Sequence, residues 1–412
     1  MNPRRLRGFT AVLTAASANA VVAAVLGVIT ARSLGPSGQG TLTAATTCVA
    51  IASIAATLGT GVSLRLRSTP APAPDDIRAF AGLSALMAAG GGAVAAVLFV
   101  LLGLDATSPA LVGGILAFGA TSIIARQVAE VVQAYDRVAA SILSVGVGVV
   151  VQIAAFAAFV VAGRASVGTA VLCGIVGALA QGAFGLAAIR RFSPPARPSW
   201  APARWGELIR HGSPNVAQGL GLIAIQRLDR LFIAALVGAS AAGVYAVAAT
   251  VAETARVVST AVGQLLFVRT ASARAYTVAV RRVYLAGLAL QVAALAVLAA
   301  TAPVVVPAVF GDGYGGAVPL VQGLAVAELF GGLAAMDSRI LLGLNRIKVV
   351  SALTVAALGL AIPLYALLIS RYSSTGAVYA SIAVYSAYGL ALVRTRRRAV
   401  PAPVVRTAND DG

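Results

Sequence analysis

The sequence predicts an all-α, polytopic membrane protein: twelve transmembrane helices in two parallel-repeat six-helix lobes around a central cleft. Three observations carry this prediction. Of the 412 residues, 59% are hydrophobic and only 11% are charged, against about 25% charged in soluble domains. With a mean hydropathy of +0.92, the chain has too little polar surface to be covered by water. Apolar stretches long enough to cross roughly 30 Å of hydrocarbon recur along the chain, and basic residues gather in alternate loops between them, as orientation in a bilayer requires.

Taking the elements in order, Arg4, Arg5 and Arg7 precede an apolar run that passes Ala18-Asn19-Ala20, the small-residue pattern of a secretory cleavage site. The run continues through VVAAVLGVIT to Thr30, long enough to span, so it is expected to remain as the first helix. The first six spans fall at 8–31, 38–61, 77–104, 110–132, 139–162 and 167–189. After a break rich in proline and arginine, six more fall at 215–237, 241–267, 283–308, 317–344, 349–369 and 375–393. The domain division is therefore a six-helix lobe at 1–190, a cytoplasmic linker at 191–213, a second six-helix lobe at 214–395, and a basic, disordered cytoplasmic tail at 396–412.

Charge tests this count. Lys348 is the single lysine among 31 basic residues, which face 13 acidic ones for a net +18. With the N-terminus in the cytoplasm, 23 basic residues fall on inside segments, Arg78 at the cytoplasmic edge of the third span included, and three, Arg32, Arg164 and Arg371, fall outside. A miscount of one early helix would scramble that segregation, so both termini are expected in the cytoplasm, in a multi-pass protein of the cell (plasma) membrane. Most of the +18 is thus an orientation signal and an attraction to the anionic inner leaflet, and nucleic acid is not an expected partner.

No loop reaches 30 residues, which leaves no room for a soluble catalytic domain, and the chain is not expected to be an enzyme. Cys48 and Cys173 lie far apart in apolar runs, and His211 is the only histidine. Metal-ligand spacing and a Ser-His-Asp constellation are both missing, so no metal, cofactor or catalytic residue is expected; His211 reads as an interfacial residue. The linker carries Pro194, Pro195, Pro198 and Pro202 with Trp200 and Trp205, a stiff segment suited to the inner interface. A plain connection between halves is the expectation, with a docking motif as the other reading.

Two local matches suggest an internal repeat. Leu34–Thr46 aligns with Val237–Ala249 at an offset of 203, superposing Gly35, Ser37, Gly40 and Ala45 on Gly238, Ser240, Gly243 and Ala248. A second pair places Arg137 over Arg346 at an offset of 209. Both halves start in the cytoplasm, so the repeat is parallel, an architecture that moves a substrate by rocking one lobe against the other. The 43 glycines permit close helix contact, and Pro303 and Pro307 should distort the ninth span.

Ten ionisable residues fall within spans: Arg126, Arg227, Arg230, Arg256 and Arg339, with Glu130, Asp229, Glu253, Glu328 and Asp337. Each is costly in hydrocarbon and should face the bundle interior or a watery cavity. Their sum is zero, which suits mutual neutralisation, and spacing suggests Arg126 with Glu130 (i,i+4) and Glu253 with Arg256 (i,i+3). Arg126 and Arg339 lie nearer cytoplasmic ends, where snorkelling explains them. Arg227 and Arg230 share one face of the seventh span, with Asp229 turned away. Two readings of this doublet, joined by Arg256 on the eighth span, are open: a phosphate or diphosphate site, which guanidinium groups bind bidentately, or pairing between helices, for instance Arg230 with Glu253. Asp229, Glu253, Glu328 and Asp337 are accordingly candidates for coupling or for salt bridges.

The chain resembles the oligosaccharide flippases and polysaccharide biosynthesis proteins of the multidrug/oligosaccharidyl-lipid/polysaccharide (MOP) exporter superfamily over roughly residues 8–395. The likeness is carried by ARSLGPSGQGTL, by ELIRHGSP with QRLDRLFIAALVGASAAGVYAVAATVAE, by FGDGYGGAVPLVQGLAVAEL and by RILLGLNRIKVVSAL, in that order and spacing. It implies a MATE-like fold and a flippase that turns a polyprenyl-diphosphate-linked oligosaccharide from inner to outer leaflet by alternating access, for cell-surface polysaccharide biosynthesis. Arg227, Arg230 and Arg256 would hold the diphosphate and sugars. The implied partners are membrane lipid, the lipid-linked glycan, and glycosyltransferases or a polymerase of the same pathway. Twelve spans set the chain apart from the fourteen-span lipid II flippases, and the shortage of carboxylates in the first lobe from the drug/cation antiporters. A cation-coupled exporter of small amphipathic compounds is the alternative, and a non-transporting membrane scaffold for glycan assembly the second.

Overall fold

A computed structural model describes residues 3–68, 71–104, 108–190, 198–213 and 216–399. The described residues form thirteen α-helices and one 3-10 turn, with no strand. In chain order they are α1 (Pro3–Thr57), α2 (Thr60–Arg67), α3 (Pro74–Leu101), α4 (Pro109–Ala134), α5 (Val138–Val161), α6 (Val167–Arg190), α7 (Pro202–Gly212), α8 (Val216–Leu236), α9 (Ala239–Thr254), α10 (Arg256–Ala273), α11 (Val278–Phe310), α12 (Ala317–Gly343) and α13 (Ile347–Ala399). They divide into two compact units, Met1–Gly243 and Val244–Gly412.

Eight helices are long and apolar enough to cross a membrane, nine when the bent pair α9 and α10 is taken as one span. The expected twelve is reached by counting α1 and α13 twice each and admitting α8. The lengths support this count: α1 has 55 residues and α13 has 53, each about 80 Å of helix at 1.5 Å per residue, over twice the hydrocarbon thickness. Each also breaks where the sequence places an external turn. In α1 the break is Gly35, at φ 66 and ψ 179, a conformation open essentially only to glycine, and Pro36 follows it. In α13 it is Ser373, at φ 52 and ψ −135. α8 is apolar apart from Arg227, Asp229 and Arg230, and it is these three charges within its 21 residues that set it apart from the eight.

The repeat is visible in local backbone. Asp136 and Asn345, equivalent at the offset of 209, both take positive φ, 58 and 59. The same capping bonds close both turns: Arg137 N–H to Val132 O at 3.2 Å, and Arg346 N–H to Leu341 O at 2.9 Å. Asx residues tolerate the left-handed region and end a helix there.

Within the first unit, hydrogen replaces side chains where helices cross. A Cβ on Gly40 would lie 1.7 Å from Ala239 O, and one on Gly243 would lie 1.8 Å from Pro36 O. The backbones of α1 and of the start of α9 therefore touch, through residues equivalent at the offset of 203. Gly148 on α5 and Gly177 on α6 meet similarly, each added Cβ falling within 2.8 Å of the other's carbonyl oxygen. Such close packing is how helices associate in a solvent as apolar as their side chains. The outward faces carry large apolar residues such as Leu143 and Val150 on α5 and Leu290 and Val297 on α11, which only lipid solvates without penalty.

The expected linker carries a docked helix. In α7, Trp205, Leu208 and Gly212 are buried at i, i+3 and i+7, an amphipathic stripe that packs with Leu64, Phe80, Leu83 and Met87 of the first unit. Trp205 Nε1–H donates to Ala79 O at 2.8 Å, and the exposed Trp200 ring stands edge-on to it at 4.5 Å. Arg204 bridges Asp75 (3.0 Å) and Asp76 (3.4 Å), and Arg67 meets Glu207 at 2.9 Å. His211, at the exposed end of α7, lies with Nδ1 2.8 Å from Glu207 O. At the other end of the chain, residues 396–399, expected in a disordered tail, continue α13; residues 400–412 lie outside the described residues.

Candidate functional site

In the first unit, α8 presents QRLDRL. Asp229 and Arg230 are 5% and 3% exposed, and Arg227 is half-buried. Asp229 Oδ1 accepts the backbone N–H of Arg230 at 2.8 Å, so the carboxylate bends onto its own helix while the two arginines, three residues apart, project along one face. This one turn of α8 thus carries two guanidinium groups and one carboxylate.

The expected pairing of Arg126 with Glu130 does not form. Arg126 is exposed, and Glu130 instead meets Arg65 of α2 at 3.1 Å, while Arg65 NH1 donates to Gln133 Oε1 at 2.5 Å. Gly61 makes this possible: a Cβ there would fall 2.5 Å from Glu130 Cγ, so only a bare backbone lets the carboxylate lie against α2. Helical spacing proposed a partner on the same element, but a guanidinium from a neighbouring helix with a second acceptor beside it is the better one.

In the second unit, Arg256 opens α10 immediately after a 41° bend. Arg256 Nε–H donates to Glu328 Oε2 at 2.9 Å, and its NH2 donates to Glu328 Oε1, a bidentate pair to α12. The expected partner, Glu253, lies on the far side of the bend and acts on Arg256 electrostatically, as does Tyr385. The fork of the guanidinium is filled by Glu328, which is 4% exposed. Gln291 of α11 donates from Nε2 to the Glu328 carbonyl oxygen at 3.4 Å.

Asp337, fully buried on α12, forms a second pair. Arg396 Nε–H donates to its Oδ1, and Tyr284 O–H donates to its Oδ2 at 2.8 Å. The Arg396 guanidinium also lies over the rings of Tyr284 (4.7 Å) and Tyr276 (5.2 Å), a cation–π arrangement. Burial pushes the phenol of Tyr276, which lies between α10 and α11, up from its ordinary value, so it is neutral beside the arginine at physiological pH. In the sequence Arg396 is one of a run of basic residues at the end of the last span, and no spacing distinguishes it from Arg397 or Arg398. Arg339 is half-buried, its stem against Gly263. Among the described residues, no group of three or more His, Cys, Asp or Glu side chains could hold a metal ion; Cys48 and Cys173 are buried free thiols.

Apolar helices of membrane-spanning length and outward faces that carry large apolar side chains define a multi-pass membrane protein. The chain belongs to the polysaccharide biosynthesis protein family, which it matches over residues 5–268. No curated protein matches the sequence. Among solved structures, the chain is similar to the lipid II flippase MurJ in an inward closed conformation, at 8% identity and a TM-score of 0.76, covering 94% of this chain and 87% of that one. It is similar to an inward-facing multidrug resistance MATE family transporter of the MOP superfamily, at 14% identity and 0.64 over 90% and 94% of the two chains. It is also similar to the MATE multidrug transporter DinF-BH, at 15% and 0.62 over 97% and 96%. The fold is thus that of the MOP transporters and flippases.

Proposed function

We propose that this protein is a flippase that carries a polyprenyl-diphosphate-linked oligosaccharide from the inner to the outer leaflet by alternating access of two six-helix lobes, 1–190 and 214–395, for cell-surface polysaccharide biosynthesis. The observation that carries this reading is the arginine doublet on α8, two guanidinium groups three residues apart within a membrane helix of a polysaccharide biosynthesis family member. Arg227 and Arg230 hold the diphosphate through charge-assisted hydrogen bonds, while the lipid tail stays in the bilayer; Arg256, the third residue expected to do so, has its fork filled by Glu328. The likeness to a lipid II flippase supports a lipid-linked substrate. The segregation of basic residues supports cytoplasmic termini in the plasma membrane. Glycosyltransferases or a polymerase acting on the same glycan are the natural partners.

A cation-coupled exporter would call on membrane carboxylates, and in the second unit Glu328 and Asp337 are both committed to arginines, which favours the anionic substrate. The test is translocation of lipid-linked oligosaccharide in proteoliposomes. Replacing Arg227 and Arg230 together by Ala removes bonds worth about 1.5–3 kcal/mol each, and translocation should fall by at least roughly tenfold. A doubly substituted protein that still translocates at the wild-type rate refutes the assignment.

A further inference from the structure

We propose that the segment leading into α7 is a lipid-docking edge: Trp200 lies in the glycerol and headgroup layer of the phospholipids on the linker side of the membrane and fastens the docked helix to the bilayer.

The segment is seated on the lipid-facing side of α3. Ser199 N–H donates to Arg78 O at 3.0 Å, and a Cβ on Gly82 would fall 2.4 Å from Ser199 O and 3.4 Å from the Trp205 ring. Only a bare backbone at 82 lets the segment lie so close. Arg78, Gly82 and Leu86, spaced by four, run along one face of the helix, and Leu86, Val97 and Val100 on that face are exposed. Large apolar side chains exposed on a membrane-spanning helix are solvated by lipid. Trp200 follows Ser199 directly and so continues this stripe at its linker end, where Gly82 is about 6 Å along the axis from Leu86.

Depth along α3 points to the same place. The helix ends at Leu101, and about 30 Å of hydrocarbon, roughly 20 residues of helix, counted back from there reaches the turn of Gly82. That is the membrane boundary, where tryptophan is enriched because its ring is apolar with one N–H donor. Trp200 is 78% exposed, while Trp205 is 8% exposed and already donates to Ala79 O. The ion pairs of α7 lie further out: Asp75 and Asp76, which hold Arg204, precede Gly82 by about two turns of α3. An aromatic ring at the boundary with charges beyond it follows the order of a bilayer surface. In the orientation proposed above this is the inner leaflet; the contact itself requires only that α3 cross the membrane.

The chain has two tryptophans, so each can be read alone: Trp205→Phe leaves only Trp200, and Trp200→Phe leaves only Trp205. Each full-length variant and the wild-type protein are placed in nanodiscs of phosphatidylcholine and phosphatidylglycerol whose acyl chains carry bromine either near the glycerol or near the bilayer centre, and fluorescence is measured. Trp200 should lose at least about twice as much emission to bromine near the glycerol as to bromine near the centre. Gly82→Ala, added to Trp205→Phe, should weaken that quenching, because the methyl displaces Ser199 from α3. If Trp205→Phe unseats α7, the difference between wild type and Trp200→Phe reads the same ring. Equal loss at both depths, or loss only to iodide in the water, overturns the proposal, and the second result would make Trp200 a face for a soluble partner or a second copy. The transport reading stands in either case.

Discussion

Removing Asp337 should do more than delete one side chain, because it strands Arg396. The carboxylate is fully buried and is shared by Arg396 and the Tyr284 hydroxyl. Breaking a buried pair by removing one partner costs about 3–5 kcal/mol, and an orphaned hydroxyl adds about 1–3 kcal/mol. Arg396 has a side-chain exposure of 11% at the basic end of α13 and can move its guanidinium toward water, so about 3 kcal/mol is the expected loss for Asp337→Ala. Arg396→Ala strands the fully buried Asp337 carboxylate, which has no such route to water, and should cost at least as much, while the double variant should cost less than the two single losses summed. The assay is a double-mutant cycle on unfolding free energy in mixed micelles, where a coupling of about 2 kcal/mol is expected. Coupling below about 0.5 kcal/mol refutes the view that this pair joins α12 to the end of α13.

Two further outcomes follow from contacts in the first unit. Gly40→Ala pushes a methyl into Ala239 O, forcing the α1 and α9 backbones apart by roughly 1 Å or more; thermal stability should fall by about 1–3 kcal/mol or more, while Gly90→Ala, with open space around it, should be close to neutral. Trp205→Phe keeps an aromatic ring but loses the bond to Ala79 O, so α7 should loosen by about 1 kcal/mol, read as faster amide exchange in 202–212; exchange unchanged from wild type would place the docking energy elsewhere.

The pattern of charges on membrane helices shows what local reasoning can and cannot reach. Spacing along one helix identified every intramembrane ionisable residue that proved buried, and it placed Arg227 and Arg230 on one face of α8. It chose the wrong partner twice. Glu130 turned to Arg65 because Gly61 opens α2 to it, and the fork of Arg256 is filled by Glu328 of another helix while Glu253 acts on it through its charge alone. Arg396 was hidden in a basic run, and with its cage of Asp337, Tyr284 and Tyr276 it joins three stretches more than 50 residues apart in sequence.

By itself, then, the sequence determined the solvent, the all-helical class and the family, because these depend on quantities summed along the chain: hydropathy over some twenty residues, the spacing of apolar runs, and motifs in order. It also marked where the chain turns, through Gly35 and through Asp136 and Asn345. Tertiary structure alone decided where helices touch backbone to backbone, that α7 docks on the first unit, and which carboxylate each arginine holds. Those outcomes depend on the distance between residues remote in sequence. In a low-dielectric interior, ångströms settle which opposite charge a guanidinium takes.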